Sequence, residues 1–368
     1  MLRIHVNTSS EYNVLLEKGL LSTIDRYIDR DVRKLCIVSD ETVADLYGGK
    51  DHALYKALDA AGFQVFTYTF PAGENSKSIE TVIDLLQFLT SMQFSRKDCL
   101  IALGGGVTGD ITGFTASIYM RGIDYYQIPT TLLAAVDSSI GGKTGVNLQA
   151  GKNLAGTFWQ PKGVFFDPEV LQTLDRTQLL NGMAEIIKMG LICDKSLLYD
   201  AVHGGRNEDG PVIFQDANAL MRLVAKAIQD KLSIVEQDER EGGVRALLNY
   251  GHTLGHAIEK CSDYTVPHGF AVARGMYYTA RACDKLVWTK QPCAEITQQT
   301  LRFFGYPLDC PYSAWQLAEA ASNDKKSDGV NITLSVPEKL GKCVLHPLPV
   351  EQLVLFFECG LEMNNDDH

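Results

Sequence analysis

The hydrophobic positions in the first half of the chain switch repeatedly between two periods. Residues 2–7 alternate apolar and polar side chains, which predicts a strand, and about 12–16 reads as a second. Residues 19–29 carry a helical pattern. The run Leu35-Cys36-Ile37-Val38 ends in Ser39-Asp40 and suits a parallel strand buried on both faces. A helix is predicted over 42–61, closed by Gly62, then a strand at 65–68 stopped by Pro71. Ile79, Val82, Leu85, Leu86 and Leu89 fall at helical spacing within 78–92. Further strands are expected at 99–103, 125–129 and 164–168. Beyond Arg176 the period is almost entirely helical, as at 221–235. A polar, glycine-rich loop is expected at 204–211 and a short strand at 332–334. Strands alternating with helices, followed by helices alone, predict an α/β N-terminal domain over 1–172 and an all-α-rich C-terminal domain over 173–368.

Composition narrows the class. A chain of 368 residues is long for one core, and 45% hydrophobic with 21% charged residues is the balance of a soluble globular protein. A net charge of −11 and a pI near 5.2 argue against general binding to nucleic acid or membrane surfaces. An anionic small substrate remains possible, since it needs only a local basic cluster. No apolar run approaches the ~20 residues of a membrane span, and the first residues lack a signal-peptide pattern. The nine cysteines are scattered without a Cys-x-x-Cys pair, which reads as free thiols in a reducing, cytoplasmic setting. The tail from Asn364 to His368 is expected to fray.

Candidate chemistry gathers in a few stretches. Gly104, Gly106 and Gly109 fit the dinucleotide fingerprint between a strand and a helix, where backbone amides can approach a pyrophosphate. A tight strand-to-helix turn, with Asp110 complementing the helix dipole, is the plainer reading. Thr130 and Thr131 close the next strand, at the end where open α/β sheets bind ligands. Asp137 to Thr144 combines glycines, Lys143 and hydroxyls without the Walker spacing, which rules out an ATPase loop. Lys152 and Asn153 follow Gly151 and suggest anion binding, or else ordinary solvated loop residues. Glu185 and Lys188 share a helix face, as surface ion pairs often do. The charge run Asp238-Glu239-Arg240-Glu241 precedes Arg245 and reads as a solvated face unless a site adjoins it. His252 and His256 lie four apart on one helix face, and His268 follows a proline. Three of only eight histidines in this short span make a Zn²⁺ site plausible, with hydrogen-bonded half-buried histidines as the alternative. Thr253 stands where a metalloprotease would place its glutamate.

Taken together in order, Gly73-Glu74-Asn75-Ser76-Lys77, Gly104 to Asp110, Pro129 to Leu132, Asp137 to Thr144, Gly151 to Asn153, Ala184 to Lys188 and Arg245 through Glu259 with Pro267-His268-Gly269 resemble the dehydroquinate synthase family. The resemblance covers nearly the whole chain. It implies an NAD-binding N-terminal domain, a helical metal- and substrate-binding domain and a homodimer. It implies conversion of 3-deoxy-D-arabino-heptulosonate 7-phosphate to 3-dehydroquinate and phosphate, by transient NAD oxidation, phosphate elimination, re-reduction and aldol closure. It assigns the metal, Zn²⁺ or Co²⁺, to Glu185, His252 and His268, and moves His256 to the substrate. By the same carry-over NAD meets Asp40, Glu74, Lys77, Gly106, Val107, Thr108, Gly109, Asp110, Thr130, Thr131, Lys143, Lys152 and Thr173. Substrate and catalysis fall to Asp137, Lys143, Asn153, Lys188, Lys231, Glu241, Arg245, Asn249, His256 and one of Lys325 and Lys326, preferably Lys326. Arg121 is expected to serve the partner subunit.

Two rival classes share parts of this pattern: other sugar phosphate cyclases, of the valiolone or deoxy-inosose type, and metal-dependent glycerol(-phosphate) or polyol dehydrogenases. Leu248-Asn249, His256 and Lys325-Lys326 stand as in dehydroquinate synthases. The basic set Arg121, Lys188, Lys231 and Arg245 exceeds what a small neutral alcohol needs.

Overall fold

The computed structural model describes residues 1–204, 216–322 and 330–362, with the backbone of 206–207 and 210–211. It divides into two compact units, Met1–Asp175 and Arg176–His368.

The first unit is built on a seven-stranded sheet. Its strands are β1 (Leu2–Val6), β2 (Tyr12–Leu16), β3 (Lys34–Asp40), β4 (Gln64–Phe70), β5 (Cys99–Gly104), β6 (Asp124–Pro129) and, later in the chain, β9 (Gly163–Phe166). Their order is β1-β2-β9-β6-β5-β3-β4, parallel except for the β1–β2 pair. The strand order reverses at β3, which has β4 on one side and β5 on the other. In open parallel sheets that reversal opens a crevice at the carboxyl ends of the strands. Asp40 ends β3 and Gly104 ends β5, so both stand at that point. The helices that cover the sheet are α1 (Glu41–Val43), α2 (Ala53–Ala60), α3 (Ile79–Ser91) and α4 (Gly106–Ile118). Val82, Leu85 and Leu89 of α3 join Ile111 and Phe114 of α4 over Cys36, Val38 and Leu100 in one hydrophobic cluster.

Some expected elements are shorter or differently shaped. The helix anticipated over 19–29 is a pair of 3₁₀ turns, Leu20–Ser22 and Ile24–Tyr27. The helix anticipated over 42–61 breaks at Gly48-Gly49, where His52 Nδ1 accepts a hydrogen bond from the Gly49 amide at 3.0 Å. Two glycines cost too much helix propensity for one continuous rod. The Gly151 to Asn153 stretch is no simple loop. It opens β8 (Gly151–Phe158), which pairs with β7 (Lys143–Leu148) in an antiparallel hairpin.

The second unit is mainly helical: α5 (Arg176–Ile192), α6 (Lys195–Gly204), α7 (Ala217–Val235), α8 (His252–Cys261), α9 (His268–Lys285), α10 (Ala294–Phe304), α11 (Ala314–Ser322) and α12 (Leu353–Leu361). Two-residue strands, β10 (Arg206–Asn207) and β11 (Gly210–Pro211), fall within the predicted 204–211 loop, whose side chains from 205 on lie outside the described residues. The strand expected at 332–334 is longer, β12 (Asn331–Lys339), and has a partner, β13 (Lys342–Pro349). Helix α9 is the axis of the unit, with Ala271, Val272, Ala273, Met276 and Ala280 buried along it. Among the described residues no helix is long and apolar enough to cross a membrane. All nine cysteines are free thiols.

Asp230 on α7 is a misfit among these helices. Its Oδ2 is buried without a hydrogen bond. Burial, then the negative charge of Asp194, raise its carboxyl to about 6 against the pull of Lys226. The folded value exceeds the unfolded one, so the fold favours the neutral acid and loses stability as pH rises from about 4 to about 6. Asp230→Asn should therefore raise the melting temperature at pH 7.5. The gain should shrink through that window and vanish near pH 3.5, in thermal melts across the range.

Candidate metal centre and dinucleotide turn

The histidine stretch is assembled by close helix approach. Gly251 precedes α8 in a left-handed conformation, φ 76°, and Gly255 and Gly275 face the α8–α9 contact. A Cβ on Gly275 would lie 2.0 Å from the Gly251 carbonyl oxygen, and one on Gly255 would lie 3.1 Å from Val272 Cα. Glycine is required at such approaches because any side chain would separate the two backbones. At the start of α9, Asn181 Oδ1 accepts the Gly269 amide at 3.0 Å, which ties the His268 end of α9 to α5.

This packing brings Glu185 of α5, His252 of α8 and His268 of α9 together. Glu185 Oε1 lies 3.5 Å from His252 Nε2 and 3.6 Å from His268 Nε2. Those lengths are too long for hydrogen bonds. Bonds of roughly 2.0–2.1 Å from a tetrahedral ion would set donors about 3.3–3.4 Å apart. Glu185 is 1% exposed, and Oε1 accepts no hydrogen bond. An orphaned buried carboxylate oxygen facing two imidazoles fits a divalent cation. His252 Nδ1 lies 3.2 Å from the Tyr250 carbonyl oxygen. A carbonyl only accepts, so Nδ1 carries the hydrogen and Nε2 turns its lone pair toward Glu185. His268 is held the same way by Glu259, at 3.2 Å from Nδ1.

The charges agree with that fit. Burial would push Glu185 up, but the Lys188 ammonium and then His268 hold it down at about 2. Burial would lower His268, but Glu185 and Glu259 raise it to about 10. A cluster that grips a proton this firmly offers the same negative field to a metal cation. Glu185 and Lys188 form an ion pair at 1% and 2% exposure, so the surface-pair reading of this i,i+3 spacing gives way to a buried one.

The other candidates of this unit lie nearby in the chain. Lys231 on α7 and Arg245 are 5% and 2% exposed. The charge run is a shaped loop. Asp238 accepts the amides of Gly242, Gly243 and Arg245 at 2.8, 2.7 and 3.0 Å, and those bonds, first that of Arg245, lower its carboxyl. Glu239 O accepts from Arg245 Nη1, and Glu241 accepts from Asn249 at 3.2 Å. His256 packs edge-on to His252, ring centroids 5.4 Å apart. Lys325 and Lys326 lie outside the described residues.

In the first unit the glycine turn sits between β5 and α4. A Cβ on Gly104 would lie 2.3 Å from Thr108 Oγ1, and one on Gly109 would lie 2.7 Å from Gln127 Oε1. The third glycine thus lets α4 lie against β6. Gly106, Val107, Thr108, Gly109 and Asp110 form the first turns of α4, and Asp40 caps α1 by accepting the Val43 amide at 3.0 Å. Lys77, 7% exposed, bonds Asp110 Oδ2 at 2.5 Å and Asn153 Oδ1 at 2.6 Å. Asn147 links Glu74, at 2.8 Å, to the Asn153 amide, at 2.9 Å. Burial raises the Asp110 carboxyl in spite of Lys77. Thr130 is buried with its hydroxyl unpartnered, Thr131 caps the Ala134 amide at 3.1 Å, and Thr173 meets the Tyr47 hydroxyl at 2.9 Å. Asp137 lies in the turn Ala134–Ser138, Lys143 opens β7 and Lys152 lies on β8. Arg121 is exposed in a turn where Met120, Arg121 and Gly122 all have positive φ, with Gly122 packed on Trp159.

Two family descriptions match successive parts of the chain: 3-dehydroquinate synthase N-terminal over residues 67–181, and 3-dehydroquinate synthase C-terminal over residues 182–327. The chain belongs to the 3-dehydroquinate synthase family. A 3-dehydroquinate synthase of Streptococcus gordonii is 41% identical over 97% of this chain and 100% of its own length. Among solved structures, a 2-deoxy-scyllo-inosose synthase complexed with carbaglucose-6-phosphate, NAD⁺ and Co²⁺ superposes with a TM-score of 0.84. It is 25% identical over 98% of this chain and 100% of that one. The 2-epi-5-epi-valiolone synthase of Streptomyces hygroscopicus subsp. jinggangensis, with NAD⁺ and Zn²⁺ bound, gives 0.82 and 26% identity over 97% and 99%. Identity is thus far higher to the 3-dehydroquinate synthase than to either cyclase of the rival type.

Within this family frame, three neighbours of the site receive no role from the motifs. Glu259 belongs to the histidine helix and could have been found by its spacing, three residues after His256. Asn181 and Tyr306, whose hydroxyl donates to Leu180 O at 2.6 Å, have no sequence signal because their contacts span distant segments. Gly275→Ala should destabilise the protein by about 3 kcal/mol, since the added methyl meets backbone rather than a movable side chain. Urea unfolding of the variant against wild type measures it.

Proposed function

We propose that this chain acts as a 3-dehydroquinate synthase, converting 3-deoxy-D-arabino-heptulosonate 7-phosphate to 3-dehydroquinate and phosphate, a carbon–oxygen lyase step in aromatic amino acid and chorismate biosynthesis. The observation that carries the reading is the convergence of buried Glu185 and His252 with the partly buried His268 in a chain of this family. Glu185, His252 and His268 would hold Zn²⁺ or Co²⁺, and three protein ligands leave coordination positions open for substrate oxygens. When bound, NAD⁺ supplies a reversible hydride acceptor and the divalent ion a Lewis acid.

The chain's own groups then bind and orient. Lys188, Lys231 and Arg245 suit a substrate that carries a carboxylate and a phosphate, with Arg245 aimed by its bonds to Asp238 and Glu239. Asn249, held by Glu241, and His256 would contact substrate hydroxyls. In the first unit the α4 amides, with Asp40, Glu74, Lys77, Asp110, Thr130, Thr131, Lys152 and Thr173, are assigned to NAD. Asp137, Lys143 and Asn153 are kept for substrate, Lys143 for both. Lys326 completes the substrate set. By the family resemblance the protein is read as a cytoplasmic homodimer in which Arg121, exposed on a turn of positive φ, serves the partner subunit.

Supplied with the heptulosonate phosphate and a catalytic amount of NAD⁺, the protein should release phosphate without accumulating NADH. Stoichiometric NADH, followed by absorbance, would instead mark a dehydrogenase. His268→Ala should abolish tight zinc binding and turnover, and full metal content with full activity would overturn the ligand assignment. Arg121→Ala and His268→Ala should each be inactive. Mixed dimers should regain roughly a quarter of wild-type turnover, because half the dimers are hybrids with one intact site. Absence of recovery from hybrids verified by differential tagging would remove Arg121 from the partner's site.

A further inference from the structure

We infer that Glu259 is a positioning residue that fixes the His268 imidazole for metal binding, a reading that rests on Glu185, His252 and His268 being the ligands. Glu259 follows His256 by three residues and His252 by seven, so all three share one face of α8. It is 5% exposed, and its Oε2 lies 3.2 Å from His268 Nδ1. The two ring nitrogens of His268 thus face opposite ways: Nδ1 toward Glu259, and Nε2 toward Glu185 Oε1 at 3.6 Å.

His252 solves the same orientation problem locally, with the carbonyl of Tyr250 two residues away. His268 is the first residue of α9 and takes its acceptor from another helix. Both ends of that contact are fixed by backbone. The Glu259 carbonyl accepts from Ser262 Oγ at 2.8 Å and from the Tyr264 amide at 2.7 Å, while Asn181 holds the Gly269 amide. A carboxylate behind an imidazole sets its tautomer and raises its basicity toward a metal, and losing such a partner typically costs about 10–100-fold in affinity.

His256, Glu259 and His268 also place ligand atoms within 4.8 Å of one another, so a second ion on Glu259 is the competing arrangement. The two differ in stoichiometry. Wild type should bind one Co²⁺ or Zn²⁺ per chain, titrated into chelator-stripped protein against a chromophoric chelator. Glu259→Gln keeps the volume and an acceptor and should bind about tenfold more weakly. Glu259→Ala should lose about a hundredfold. At saturation both should give the Co²⁺ absorption spectrum of wild type, since all three ligands remain. Metal-free Glu259→Gln should still unfold in a single cooperative transition. His252→Ala should bind no metal tightly. Loss in His252→Ala with wild-type affinity in both Glu259 variants would overturn the positioning role alone. Wild-type affinity in His252→Ala would overturn the ligand set, and the role of Glu259 with it. Two ions in wild type and one in Glu259→Gln would make Glu259 a ligand and refute the inference.

Discussion

A carboxylate taken out of water must be answered by other charges, and Glu185 imposes that constraint on the helical unit. It lies almost wholly buried on α5. Lys188 compensates part of its charge from one turn along the same helix, and two imidazoles face the remaining oxygen. The unit is arranged to deliver those imidazoles. Gly251, Gly255 and Gly275 let α8 and α9 touch backbone to backbone, and Asn181 ties the start of α9 to the helix that carries Glu185. Small residues here are structural in the strict sense: they set the distances on which any shared cation depends.

The α/β unit handles a different problem, the close approach of backbone to a phosphate-bearing ligand. The fingerprint glycines sit on the third parallel β–α transition of the chain rather than the first. Sheet order explains the placement, because β5 lies beside β3 where the order reverses. The carboxyl ends of those two strands carry Asp40 and the glycine turn, the place in such a sheet where the amides that start a helix can meet an anion. Lys77, Asp110 and Asn153 tie the neighbouring hairpin to that helix through bonds of 2.5 and 2.6 Å.

Much of this was legible in the residues because it depends on local spacing. Alternation in β1 and short apolar runs such as those of β3, β5 and β9 placed the strands of the sheet to within one or two residues, and the glycine spacing located the turn before α4. Local spacing misled where a break was cheap, as at Gly48-Gly49, or where a partner lay elsewhere, as for β13. It also could not separate a surface ion pair from a buried one at Glu185 and Lys188, since i,i+3 geometry is the same in both.

The sequence by itself determined the α/β-then-helical order, the glycine turn and the gathering of three histidines, since each follows from covalent geometry over a few residues. Spacing alone offered the i,i+4 pair His252 and His256 and only the family resemblance named His268 in its place; the tertiary structure is what turns His252 and His268 toward Glu185. It alone also set Glu259 behind His268. Those outcomes rest on which helix faces meet, and that is fixed by packing between segments far apart in the chain, where no periodicity reaches.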